Sequence, residues 1–192
     1  QPTEKPAEQA AEKPEIRPAR PIRSGLVLAN DLISSTWTNA GAGLVSAELL
    51  KYNAPYKIDG KRPTLRILRR LQDGVHSMEL LSITVYPQGE AAAESVTHDL
   101  EDAVYRVADD DKGQQDRRLA FEYETSDHVL VRKVVRLPEG RYHFGVRFEF
   151  ENRGDKPIRV SYRLRTAAGI EPESLPPGHQ VEAVVGVLED EE

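Results

Sequence analysis

From Tyr142 to Glu151 large apolar and polar positions alternate. Tyr142, Phe144, Val146, Phe148 and Phe150 are set against His143, Gly145, Arg147, Glu149 and Glu151. A period of two sends each set to its own face of an extended chain, so this segment predicts a half-buried β-strand. Ile158, Val160, Tyr162 and Leu164 alternate with Arg159, Ser161, Arg163 and Arg165 in the same way, and Leu119, Phe121 and Tyr123 alternate with Arg118, Glu122 and Glu124. Shorter apolar stretches predict further strands at 26–28, 32–37, 44–50, 64–68, 78–85, 103–107, 129–137 and 181–188. Asn30-Asp31, Asn39-Ala40-Gly41, Pro138-Glu139-Gly140 and Asn152-Arg153-Gly154-Asp155 supply the residues that reverse a chain. Many short strands with frequent turns predict an all-β fold, a mostly antiparallel β-sandwich. Helix is expected only in short pieces such as Leu65 to Leu71 or Ala91 to Asp99.

The two strongest strands, 141–151 and 158–165, are separated by Asn152 to Pro157, a length compatible with a hairpin. In the expected register Phe150 faces Ile158, Phe148 faces Val160, Val146 faces Tyr162 and Phe144 faces Leu164. Glu149 then lies beside Arg159. Sliding by two residues would set Arg147 against Arg163, a like-charge pair. The alternative sends the two strands to opposite sheets, with their apolar faces meeting across the core.

Composition divides the chain into three parts. Residues 1–24 hold five prolines among Glu, Lys, Gln and Ala, with Ile16 and Ile22 the only large apolar side chains. Such a segment buries too little surface to offset its ordering entropy and reads as a disordered, semi-stiff tether. Residues 25–188 form the β domain, and 189–192 an acidic tail. A core of that size needs no covalent staples. The chain has no Cys, which excludes disulfides, thiolate zinc sites and a thiol nucleophile. The net charge of −6, with both signs mixed, argues against nucleic acid as a partner. No apolar run approaches the roughly 20 residues that cross a bilayer, and no signal peptide opens the chain.

Candidate chemistry is sparse. None of the five histidines has metal-ligand spacing. Asp109-Asp110-Asp111 followed by Lys112-Gly113 fails as a calcium loop, because position twelve is Ala120. There is no GxSxG and no phosphate-cradling glycine loop, and Gly41-Ala42-Gly43 reads as a tight turn. No catalytic residue, cofactor or metal is expected. What remains is the charged face of the late strands, and Arg147, Glu149, Arg159, Arg163 and Arg165 are the candidate partner-contact residues, with Glu122 and Glu124 beside them.

Two stretches resemble a known family. They are Leu28-Ala-Asn-Asp-Leu-Ile-Ser-Ser-Thr-Trp-Thr-Asn-Ala-Gly-Ala-Gly-Leu-Val-Ser-Ala-Glu-Leu-Leu-Lys-Tyr52, and Arg132-Lys-Val-Val-Arg-Leu-Pro-Glu-Gly-Arg-Tyr142 running on to Phe150-Glu-Asn-Arg-Gly-Asp-Lys-Pro157. Both are similar to the periplasmic domain of the bacterial membrane-protein insertase YidC. Ala42 stands between glycines that are adjacent in the family, and the family's large version is longer than this chain, which reads as a compact or truncated form. The resemblance implies a galactose-mutarotase-like β super-sandwich without catalysis, held at the periplasmic face of the inner membrane. It implies a scaffold that contacts membrane-protein clients and translocon components such as SecD and SecF, while insertion itself belongs to membrane helices outside this chain.

Two other functions compete. A mutarotase-like sugar-binding or sugar-converting domain needs a His soon after the Asn-to-Pro turn and a later Glu as acid and base. Ile158 to Arg163 hold no His, and the next is His179. The other is a secreted β-sandwich binding module, which needs neither tether nor anchor.

Overall fold

The computed structural model describes residues 21–69, 75–88, 94–108 and 117–169. The strand expected at 181–188, the acidic tail, Asp109 to Asp111 and most of the proposed tether lie outside them. Among the described residues are eleven strands: β1 (Ser24–Ala29), β2 (Ile33–Thr38), β3 (Leu44–Asn53), β4 (Thr64–Leu68), β5 (Glu79–Pro87), β6 (Val96–Asp99), β7 (Arg106–Ala108), β8 (Arg117–Glu124), β9 (Val129–Leu137), β10 (Gly145–Asn152) and β11 (Ile158–Arg165). The fold is all-β, as the period-two patterning predicts. Where short helices were expected, Thr64–Leu68 and Val96–Asp99 are strands. Tertiary pairing with β3 and β5 overrides a weak local signal there.

The strands form three antiparallel sheets, ordered β1-β2-β3-β4, β10-β9-β8-β7 and β11-β5-β6. The β7–β10 sheet faces the other two. Trp37 of β2 lies 6.5 Å from the Phe121 ring on β8, and Tyr162 of β11 lies 5.4 Å from Phe150 on β10. One apolar core runs between the layers and includes Ile33, Trp37, Leu44, Leu80, Ile83, Phe121, Val131 and Val135. Isolated bridges Leu44↔Ser77 and Ala40↔Val104 tie segments that belong to different sheets.

The expected hairpin does not form. β10 pairs with β9, placing Phe150 opposite Val131 and Glu149 opposite Arg132, while β11 pairs with β5, placing Ile158 opposite Pro87. The connection is an arch between sheets. Asn152 Nδ2 donates to Lys156 O at 2.8 Å, its Oδ1 accepts from Gly154 N at 3.0 Å, and Arg153 N donates to His128 O. Pro157 has no N–H to offer a neighbour, and its carbonyl accepts from Gln88 N. The apolar faces still meet across the core, with Phe148 6.4 Å from Tyr162. β10 opens at Gly145, so Tyr142 and Phe144 precede the strand they were expected to begin.

Two asparagines stitch distant parts together. Asn30 Oδ1 accepts from Leu32 N and Ile33 N, closing the β1–β2 turn, while Nδ2 donates to Pro138 O and Arg141 O. Asn39 Oδ1 accepts from Arg23 N, and Nδ2 donates to Pro21 O and Tyr105 O. Pro21 and Arg23, grouped by composition with the tether, are thus bonded to the sandwich.

Candidate partner-contact surface

The outward face of the β7–β10 sheet carries its charges in rows set by register. Gly145, Arg136 and Arg118 share the first row, and Arg147, Val134 and Ala120 the second. Glu149, Arg132, Glu122 and Arg106 make the third, and Glu151, Leu130 and Glu124 the fourth. The third row is balanced, and Arg153 bridges the two glutamates of the fourth. Arg106 bonds Glu122, Arg132 lies 3.4 Å from Glu122 and 3.9 Å from Glu149, and Arg153 reaches Glu124 and Glu151. Arg147 bonds Glu149 on its own strand, two residues on. The first row is basic only. A groove of about 190 Å³ opens there, lined by Arg118, Arg132, Val134, Arg136, Arg147 and Glu149.

The five sequence-nominated residues therefore do not form one face. Arg147 and Glu149 belong to the outer side of the β7–β10 sheet. Arg159 and Arg163 stand on the other layer, Arg159 with its guanidinium 4.5 Å from the Tyr86 ring and Arg163 exposed opposite Ser82. Arg165 turns inward. Its Nη1 donates to Glu79 Oε2 at 2.5 Å and its Nη2 to Glu101 Oε1 at 2.8 Å.

Glu79 is buried, and its carboxylate also accepts from the His76 backbone N–H, with the His76 ring Nδ1 2.8 Å away. The Gly41-Ala42-Gly43 turn packs against this group. A Cβ on Gly41 would stand 2.6 Å from Glu101 O, and one on Gly43 would stand 2.6 Å from His76 Cβ. Both positions need glycine because backbone and side chains press on them, which is the physical content of the predicted tight turn.

Beside the turn, Lys133 is buried on the inward face of β9. Its Nζ donates to Ala42 O and Met78 O and lies 5.0 Å and 5.6 Å from the Trp37 and Phe148 ring centroids. Burial pushes this amine down to about 7, against the pull of the Glu79 carboxylate. Sequence reasoning passed over Lys133, although a signal was present: a Lys between Val131 and Val135, where the period of two demands an apolar residue. Glu79 had no such signal, since it lies at the first position of its strand.

Between β10 and β11 the layers are less tightly closed. Met78, Val146, Phe148, Phe150, Tyr162 and Leu164 line a groove of about 380 Å³. Tyr162 is 55% exposed, so the meeting of these apolar faces leaves part of one in solvent. Among the described residues no group of three or more His, Cys, Asp or Glu side chains is placed to hold a metal ion.

Comparison with known proteins adds two findings. The family model for the YidC periplasmic domain matches residues 26–191. The chain is also similar to the membrane protein insertase YidC of Pasteurella multocida (strain Pm70), at 27% identity over 157 residues, covering 81% of this chain. The chain spans 27% of that relative's length.

Proposed function

The chain belongs to the YidC periplasmic-domain family, and from that premise we propose that it is a non-catalytic scaffold and interaction domain of a membrane-anchored insertase, facing the periplasm. The family match along residues 26–191 carries this reading. Two properties of the molecule support it. The two charged side chains buried inside the sandwich are engaged by the protein itself: Glu79 by Arg165 and His76, and Lys133 by two backbone carbonyls. The exposed charges are instead spread over the outer sides of two layers, suited to contact with a protein surface rather than to enclosing a small substrate.

In this role the domain engages membrane-protein clients and translocon components such as SecD and SecF, while membrane helices elsewhere in the protein perform insertion. Arg147, Glu149, Arg159 and Arg163 are the contact residues, on two faces, with Arg165 holding the fold beneath them. Site-specific photo-cross-linkers placed at these four positions in the membrane-anchored protein test the proposal in cells. Adducts with SecD, SecF or a nascent client are expected. Cross-links to none of these, from either face, would overturn it.

A further inference from the structure

At one end of the sandwich the chain runs on past Asn53 and Thr64, the last paired residues of β3 and β4, into an arm closed by a two-residue turn. Ile58 N donates to Lys61 O at 2.8 Å, and Lys61 N to Ile58 O at 3.0 Å. Asp59 and Gly60 between them take φ of 49° and 78°. A tight hairpin turn asks for that left-handed pair, and Asp-Gly adopts it readily. The root is fixed as well, since Ala54 is buried and its N–H donates to Pro63 O at 2.8 Å. Lys57 to Arg62 are nonetheless all exposed, and Ile58 is the one large apolar side chain among them, 53% exposed. It is not a stray. The register of β3 shifts between Leu49 and Asn53, leaving Leu50 and Tyr52 in solvent, and the exposed Tyr142 ring lies 6.1 Å from that of Tyr52. Leu50 N donates to Leu32 O and Asn30 Nδ2 to Arg141 O, so these segments share one end of the molecule.

Charge is segregated in the same place. Residues 51–62 hold Lys51, Lys57, Lys61 and Arg62 against Asp59 alone, in a chain of net charge −6. No ion pair among the described residues takes Lys57, Lys61 or Arg62. We propose that this end seats on an anionic bilayer surface, an inference that rests on the reading of the domain as membrane-anchored. Ile58 enters the headgroup boundary, and Lys57, Lys61 and Arg62 meet lipid phosphates around it. Tyr52 and Tyr142 suit the same depth, where an amphipathic ring keeps its hydroxyl wet. Screening over about 8 Å at physiological salt removes the acidic surplus elsewhere from the balance. A bilayer fits better than a protein, because a stable protein partner covers about 800 Å² on each side and a two-residue tip offers one aliphatic side chain. Weak contact suffices once an anchor makes it intramolecular. The chain enters the sandwich at the other end of β2, where Asn39 bonds Pro21 and Arg23. Residues 1–20 reach at most about 70 Å, roughly twice the length of β3, so entry there leaves the arm within reach of the membrane.

The chain has no Cys, so Ile58→Cys gives the full chain a single attachment point for the polarity-sensitive dye nitrobenzoxadiazole. Vesicles of phosphatidylethanolamine with phosphatidylglycerol, at millimolar lipid, should shift its emission to the blue, and nitroxide-labelled lipid should quench it. Vesicles of phosphatidylcholine should do neither. The same dye at Ser161→Cys, exposed on β11, should stay unchanged on both. Flotation of the unlabelled chain gives the affinity. Lys57→Gln with Lys61→Gln and Arg62→Gln should weaken it about ten-fold or more, at about five-fold for each cation lost. Ile58→Ser should weaken it roughly five-fold with the charge unchanged. Arg159→Gln with Arg163→Gln should leave it as it is. A silent dye on the anionic vesicles, an equal response on phosphatidylcholine or at Ser161, or an unaffected triple variant each overturns the proposal. So does a photo-cross-linker at Ile58 that captures a protein in cells while the dye stays silent. All three cations are exposed, so the triple variant should keep its Tm, and a fall of several degrees would show that they serve the fold instead. Cross-links from the sheet faces to SecD, SecF or a client, with no response to vesicles, would leave the scaffold role standing and remove only this site.

Discussion

The ammonium of Lys133 lies 2.6 Å from the carbonyl oxygen of Ala42, and the same nitrogen donates to Met78 O. Ala42 and Met78 both adopt positive φ, 48° and 58°. That backbone region costs about 1–2 kcal/mol for a residue with a Cβ. One buried cation thus satisfies the carbonyls of two left-handed residues, from the β2–β3 turn and from the entry to β5, and joins both to β9.

Lys133 makes stability depend on pH in a defined direction. Its native value is held at about 7, against an ordinary 10.5. Between those values the unfolded chain binds the proton that the folded chain has released, so this group's contribution rises with pH across that window. Urea unfolding of the native protein and of Lys133→Met, at pH 7 and pH 9.5, isolates it. The native-minus-variant difference should increase with pH. A flat difference would mean that the amine keeps its proton inside the fold.

Gly41→Ala should destabilise more than Gly140→Ala. Both glycines have positive φ, 62° and 63°, but only the Gly41 Cβ meets atoms, at 2.6 Å from Glu101 O and 2.8 Å from Glu79 Oε1. Backbone strain alone costs about 1 kcal/mol at Gly140, and crowding adds roughly 1–3 kcal/mol at Gly41. Equal midpoints in denaturant for the two variants would mean that Glu79 moves aside without cost.

Tyr105 carries a buried hydroxyl that meets no hydrogen-bond partner among the described residues. Its ring packs 5.5 Å from Tyr123, and burial pushes the phenol well above its usual range. Tyr105→Phe keeps the ring and removes the orphaned group, so stability should hold or rise by up to about 1 kcal/mol. Loss of more than that amount in calorimetry would reveal an ordered water bound to the hydroxyl.

Asn39→Ala should cost about 2–3 kcal/mol, because it strands Arg23 N and Tyr105 O in a partly buried region. Deleting residues 1–23 removes Arg23 and Pro21 from the same bonds, and the two changes should not add. Fully additive losses in Tm would indicate that Asn39 and the segment before β1 act independently.

Period-two alternation made β8, β10 and β11 legible because large apolar and polar side chains take opposite sides of each. It also placed Phe148 and Phe150 toward the interior, and Tyr162 on the side that faces them. It did not specify which strand neighbours which. Glu149 finds a cation equally well in Arg159 or Arg132, and only the arch at Asn152 to Pro157 decides for Arg132. The candidate contact face was half legible for the same reason. Alternation showed that Arg147 and Arg159 point outward, but outward from two layers is two directions. Arg165 was misleading because β11 has a register shift between Arg163 and Leu164, after which the alternation no longer reports exposure. The long-range bonds of Asn30 and Asn39 leave no trace in a pattern of polarity, since an asparagine in a turn looks the same whether it bonds locally or across the molecule.

The separation of β11 from β10 also sets the order in which the chain can be completed. β5 and β6 leave the ribosome early, yet the remaining edge of β5 is filled only by Ile158 to Arg165. Until then Leu80, Ile83 and Val85 lie on a strand with one neighbour missing. Pairings this far apart in sequence form late and slowly. A chain delivered N-terminus first must therefore hold an unfinished sheet edge in water while residues 88–157 emerge, and a stall before Ile158 would leave that edge as the point of capture or aggregation.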